Sequence, residues 1–427
     1  MVLSRWMVAA VGLGFVCTWM GCGSSESGTD PSVAGSAGAD AGSGGAGGSI
    51  ASDAGDGGAG ADAAPDDAGR SPTCQSQDQA LQKALDDTRE PSPNALLAIR
   101  NPDCGTTVYA SGSTETALAT SLWRIGSLTK TFVSTAILSL VKEGAVSLDD
   151  PLSKWVPNVP NTDGVTVIML LDHRSGIFSY TDDWTLDGTQ PMTPEQLVDL
   201  ATSHPPLFAP DADFSYSNTN YVLLGMILEA ATGQKAGAVL HARAMGPANL
   251  ESTLLDGYDT IDPNRMARGM TANGKDCTFF LDPSVPWTAG AMVSSGGDLV
   301  EWVETLYGTY AVLDAGQRAL LTSKTSIIPW TGFFHGSQYG LGVMLLDPAK
   351  NANAGQGIGH AGEISGYLTH AFYFPEKKTT IVSIVNSDDG PIDEVFLAAL
   401  NTLFPGGAAD AGAGGAADAG AGDAAEQ

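Results

Sequence analysis

Positive charge is scarce in this chain. Its 427 residues hold 20 Lys and Arg against 48 Asp and Glu, a formal net charge of −28. Such a chain repels phosphate backbones and anionic headgroups, and no Lys/Arg-rich patch offsets this, so nucleic-acid binding is excluded. Also missing is an apolar run of about 18 residues, the least a spanning helix needs, so no integral membrane helix is expected. Cysteine is sparse, with five residues and no C-x-x-C pair, and the six histidines show no H-E-x-x-H spacing. Neither a metal site nor a cofactor is expected from such a set.

Glycine, by contrast, is abundant, but it is unevenly placed. Of 53 glycines, 14 fall in residues 23–72 and 7 in residues 406–427. These Ala/Gly/Asp/Ser stretches cannot bury enough apolar surface to offset the cost of ordering. Residues 22–72 therefore read as a disordered linker and 406–427 as a disordered tail. Between them, residues 73–405 retain a charge of −18 and are long enough to bury a large core. Residues 1–21 have the layout of a secretory signal, with Arg5 ahead of the apolar stretch Met7–Met20. Trp19-Met20-Gly21-Cys22 resembles a bacterial lipoprotein cleavage box, with Cys22 as the lipidated residue. The chain is thus expected to be exported, as a cell-envelope lipoprotein held by a lipid anchor or as a free secreted protein. In an oxidising compartment Cys74, Cys104 and Cys277 should give one disulfide and one free thiol. Pairing of Cys74 with Cys104 closes the shorter loop, and Cys277 stays open as a partner.

Within the core, residues 76–90 read as a helix, and Ala95–Arg100 and Thr107–Ser111 as strands around a hairpin-like connection. Residues 127–143 carry one apolar stripe and end at Gly144, a helix with its usual stop. Helical patches at 194–203, 219–231, 297–307 and 315–323 follow. Strands return at Tyr339–Leu346, Tyr367–Phe374 and Thr379–Asn386, before a helix near 392–403. Strands at both ends with helices between them predict an α+β fold: one antiparallel sheet, closed by distant segments, with an inserted helical lobe.

Three short motifs carry chemistry. Ser127 and Lys130 stand at i and i+3 on one helix face, their Cβ atoms roughly 5–6 Å apart. A serine hydroxyl attacks poorly unless a base takes its proton, and a desolvated lysine of lowered pKa can be that base. The helix N-terminus favours the anion that forms. Tyr216-Ser217-Asn218 opens the next strongly apolar helix. Tyr216 can relay a proton as phenol or phenolate, and Asn218 can bond both the lysine and a substrate amide. Later come His360-Ala361-Gly362-Glu363, where small residues such as Gly362 leave room for a substrate backbone at a strand edge. His173, in Asp172-His173-Arg174, reads as structural.

Taken singly each motif is weak, since S-x-x-K arises by chance about once in a chain this long. Their order is specific. S-x-x-K, Y-S-N and H-x-G together resemble the serine β-lactamase and penicillin-binding-protein superfamily. The branch is the one holding class C β-lactamases, D-Ala-D-Ala carboxypeptidases, D-aminopeptidases and related esterases. The likeness runs through residues 78–403 and includes Trp123–Lys130, Leu148–Leu152, His173–Gly176 and Ala289–Ser295. It implies a β-lactamase/transpeptidase-like fold and a serine hydrolase acting through an acyl-enzyme on Ser127. Lys130 and Tyr216 would be its proton-transfer pair, and Asn218 its link between lysine and substrate. The N–H groups of Ser127 and Glu363 would form the oxyanion hole, His360 would line the site where class C enzymes carry lysine, and Trp287 would line the cleft. The S-D-N and K-T-G motifs of the other branch are absent, and so is the G-x-S-x-G elbow of α/β-hydrolases.

Departures from the pattern bear on substrate. The related carboxypeptidases carry H-T-G-T, whose threonines hold a terminal carboxylate, whereas this chain has Ala361 and Glu363 there. Losing two hydroxyls and adding a carboxylate should disfavour an anionic C-terminus. The expected substrate is a small molecule or peptide, cell-wall-derived or otherwise, that is neutral or bears an amine. The competing reading is a non-catalytic penicillin-binding sensor or surface binding protein of the same fold.

Overall fold

A computed structural model describes residues 70–112, 119–309, 311–351 and 353–406. Cys22, the 1–21 segment, nearly all of the 22–72 stretch and the tail beyond 406 lie outside the described residues.

Eight strands form the main sheet: β1 (Asn94–Asn101), β2 (Gly105–Gly112), β6 (Ser326–Ile327), β7 (Gln338–Tyr339), β8 (Met344–Leu345), β9 (Ile358–Ile364), β10 (Tyr367–Phe374) and β11 (Thr379–Val385). Their order is β2-β1-β11-β10-β9-β8-β7-β6, antiparallel throughout. The first strands of the domain therefore pair with the last, Ala95 facing Val385 across a span of 290 residues in sequence. A small second sheet holds β3 (Trp123–Arg124), β5 (Met292–Ser294) and β4 (Leu254–Leu255) in that order.

Period-two alternation sends successive side chains to opposite faces of the main sheet. Leu96 and Ala98 of β1, with Val382 and Ile384 of β11, join the core shared with the helical lobe. Their neighbours Ala95, Leu97, Ile99, Ile381 and Val385 enter a second core beneath α1 (Pro72–Thr88) and α11 (Ile392–Leu403). Both faces are covered, which explains why β11 is buried at all seven positions.

The inserted lobe contains α2 (Thr129–Lys142), α3 (Leu152–Trp155), α4 (Val167–Leu171), α5 (Pro194–Thr202), α6 (Asn218–Thr232), α7 (Ala236–Leu240), α8 (Trp287–Gly290), α9 (Gly296–Val303) and α10 (Ala315–Leu321). Capping boxes start α5 (Thr193 with Gln196) and α10 (Asp314 with Gln317). Cys74 in α1 is disulfide-bonded to Cys104 in the β1–β2 turn, and Cys277 is a buried free thiol.

Two expectations change in detail. Tyr339–Leu346 is not one strand: β7 and β8 flank a tight turn in which the Gly340 amide donates to the Val343 carbonyl at 2.8 Å. Ser127 does not begin the α-helix but sits in a 3₁₀ turn, Gly126–Leu128, just ahead of α2.

Strand β9 lies directly against that turn. A Cβ on Gly362 would stand 2.0 Å from the Ile125 carbonyl oxygen, and one on Gly126 (φ +51°) 2.7–2.9 Å from the backbone of Glu363. Only hydrogen atoms fit at either place. Gly362→Ala is therefore expected to push β9 off the turn and lower stability by about 1–3 kcal/mol, the usual cost of overpacking. Thermal unfolding monitored by circular dichroism checks this.

Candidate active site

The 3₁₀ turn explains how Ser127 and Lys130 meet. Side chains at i and i+3 eclipse in 3₁₀ geometry, so the lysine on the first turn of α2 folds back over the serine. Lys130 Nζ is 3.0 Å from Ser127 Oγ. It also donates to Asn218 Oδ1 at 2.8 Å and to the Ala289 carbonyl at 2.7 Å. Ser127 is partly exposed, while Lys130 is fully buried at 0%.

Burial alone drives the Lys130 pKa well below that of a free lysine, because no carboxylate among the described residues accompanies the ammonium. The Asn218 and Ala289 oxygens accept and cannot donate. A neutral amine keeps both of those bonds with its two hydrogens, which leaves its lone pair for the Ser127 hydroxyl.

Asn218 is oriented as well as placed. Its Nδ2 donates to Thr181 Oγ1 at 3.1 Å, and its backbone N–H to Ser179 Oγ at 3.1 Å. Its Oδ1 is thereby turned toward Lys130. Thr181 and the Ala289 carbonyl were not legible as site groups: one stands in a single 3₁₀ turn, Tyr180–Asp182, the other is backbone. Their partners lie 37 and 159 residues away in sequence.

Tyr216 borders the same group. Its ring centroid is 4.9 Å from Lys130 Nζ, and its hydroxyl is sealed from solvent beside Ser127, outside hydrogen-bonding geometry. Burial raises the phenol's pKa far more than Ser127 lowers it, so Tyr216 is protonated. Beneath it His173, at φ +58°, is fully buried with its ring centroid 4.2 Å from that of Tyr216. Its Nδ1 accepts from the Ser217 N–H and from Asn220 Nδ2, which places its proton on Nε2 and makes it a structural histidine.

Glu363 stands on β9 where that strand has outrun β8, which pairs only with Ile358 and Gly359. Its side chain is exposed yet walled by protein. The restricted hydration raises its carboxyl pKa, and Asp388 adds to this. On the lobe side Asp182, next to Thr181, is raised to about 6 by burial.

Two expected residues are placed differently. His360 does not line open space: it is fully buried, its Nε2 pairs with the Tyr339 hydroxyl at 3.0 Å, and burial lowers its pKa to about 3. Gly362 makes room for the Ile125 carbonyl, not for a substrate backbone. Trp287 lays its indole against Gly225 of α6, where a Cβ would be 2.9 Å from the ring, two turns along the helix from Asn218. A cavity of about 370 Å³ lies elsewhere, lined by Ser139, Glu143, Thr232 and Arg243 and by none of these residues.

Comparison with known proteins finds relatives in sequence and in structure. Penicillin-binding protein 4* of Bacillus subtilis (strain 168) is 26% identical over 305 residues, covering 66% of this chain and 64% of that protein. The chain thus spans just under two thirds of that relative's length. The crystal structure of D-stereospecific amidohydrolase from Streptomyces sp. superposes with a TM-score of 0.66 at 30% identity, over 75% of this chain and 97% of that one. D-amino acid amidase from Ochrobactrum anthropi SV3, complexed with L-phenylalanine amide, gives 0.70 at 26% identity, over 77% and 98%. The family model described as Beta-lactamase matches residues 95–403, from β1 to the last helix, and the chain belongs to that family.

Proposed function

We propose that this β-lactamase-related serine hydrolase works through an acyl-enzyme on Ser127, cleaving amide or ester bonds in substrates that are neutral or carry an amine. The observation that carries this reading is the buried, uncompensated Lys130, 3.0 Å from the Ser127 hydroxyl.

Neutral Lys130 takes the Ser127 proton as Oγ bonds to the carbonyl carbon. The oxyanion that forms lies between the backbone N–H groups of Ser127 and Glu363, and the glycines let the 3₁₀ turn and β9 that carry them meet. Collapse breaks the bond to the leaving group, which takes a proton from the Tyr216 hydroxyl, and Lys130 returns a proton to the phenolate oxygen. Water then attacks the ester, with Lys130 again as base, and releases the acid and free Ser127. Because Tyr216 is held protonated by burial, it serves as relay and Lys130 as base. The buried lysine beside Ser127 favours turnover over the non-catalytic sensor reading.

Export belongs to the same proposal. The Cys74–Cys104 disulfide suits an oxidising compartment, and Cys22 with the 22–72 stretch would tether the domain to the cell envelope. The substrate class follows from the walls. Glu363 brings a carboxyl group beside Tyr216, which suits an ammonium and opposes a carboxylate. The D-amino acid amidase and D-stereospecific amidohydrolase likenesses point the same way. A cell-wall-derived D-amino-acid amide or peptide with a free amino group fits both.

Three measurements test the proposal. A fluorophosphonate probe should label the wild-type protein, and Ser127→Ala should abolish both labelling and turnover, by about 10³-fold or more. Equal labelling of the variant would refute it. In a pH–rate profile, kcat/KM should climb as Lys130 loses its proton, along a limb well below the 10.5 of a free lysine. A limb at ordinary lysine values would remove Lys130 as base. Across an acyl-D-Ala-D-Ala peptide, a D-amino-acid amide and a p-nitrophenyl ester, the acyl peptide should be slowest, and Glu363→Gln should cost the amine-bearing amide about tenfold. Fastest turnover of the acyl peptide would sink the substrate assignment.

A further inference from the structure

Trp330 lies in the 328–337 segment between β6 and β7, with nothing in its local sequence to mark it. The fold brings its ring to 5.6 Å from that of Tyr216, the planes crossing at 61°. Phe334 braces the indole from behind at 6.0 Å and 83°. Tyr216 is 6% exposed, whereas Trp330 is only half-buried. The indole therefore covers one side of the tyrosine ring and turns its remaining surface to solvent beside it.

That position has a consequence for the leaving group. In the mechanism above, the departing atom takes its proton from Tyr216, so the side chains that seal that hydroxyl in the free protein must part for the atom to come within about 2.6–3.2 Å of it. Any group extending more than a few atoms beyond it then runs along the exposed indole. We propose that Trp330 forms the apolar wall of a leaving-group subsite and selects aromatic over small leaving groups. The inference rests on the assignment of Tyr216 as proton donor and adds a preference on the side of the scissile bond away from the acyl group. Offset or edge-on ring contacts, together with the apolar area removed from water, predict a preference on the order of tenfold.

The test uses one amine-bearing acyl group joined in turn to methylamine and benzylamine. In the wild-type protein kcat/KM for the benzylamide should exceed that for the methylamide by about tenfold. Trp330→Ala should bring the ratio close to 1, because benzylamide turnover falls further than methylamide turnover, and Trp330→Phe should restore part of it. A wild-type ratio at or below 1, or a ratio unchanged in both variants, would overturn the proposal. Loss of both turnovers in equal measure would mark Trp330 as structural only and overturn it too. Should the alanine variant not fold, the wild-type and phenylalanine ratios still decide. Failure of the parent reading looks different: wild-type Ser127 would then not be labelled by fluorophosphonate at all.

Discussion

Everything at this site depends on the contact between strand β9 and the turn that carries Ser127. Two backbones approach there with no side chain between them, Gly362 facing the Ile125 carbonyl and Gly126 facing Glu363. Close approach of this kind needs glycine on both sides. It joins the sheet, assembled from the two ends of the domain, to the first element of the inserted lobe. The same contact brings the Glu363 peptide beside that of Ser127, so a packing constraint and the placement of two backbone donors are one feature.

Lys130 is the second constraint, and it is electrostatic. An ammonium with no exposed surface, and no carboxylate beside it among the described residues, is costly, and the protein lowers that cost by favouring the neutral amine. Three oxygens surround it, but two are carbonyl-type acceptors, so the geometry is satisfied in the neutral form with the lone pair on Ser127. The neighbouring tyrosine is shifted the opposite way for the same reason: burial opposes whichever form is charged. One dry environment thus yields a neutral base and a neutral acid side by side. Outside it lies the carboxyl group of Glu363, part of the acidity that marks the whole chain.

Legibility in the sequence followed the range of the interaction. The Ser127–Lys130 spacing was readable because three residues on one turn bring side chains together whatever the rest of the chain does. The hydrophobic stripe of α2 and the alternation in β1 and β11 were readable for the same local reason. His360 was placed wrongly from its motif, since a strand residue can face either way and only Tyr339, 21 residues away, shows which. Thr181, the Ala289 carbonyl and Trp330 left no signal, being turn, loop or backbone groups whose partners are distant.

By itself the sequence determined the fold class, the serine, lysine and tyrosine proposed to carry the chemistry, and the acidity of the chain. Those properties reside in residue types and short spacings. Tertiary structure decided the rest: that Lys130 is dry and alone, that Asn218 is turned by Thr181, that His360 lies beneath the site, and that Trp330 stands over Tyr216. Burial and orientation depend on atoms contributed from far along the chain, so no window of sequence contains them.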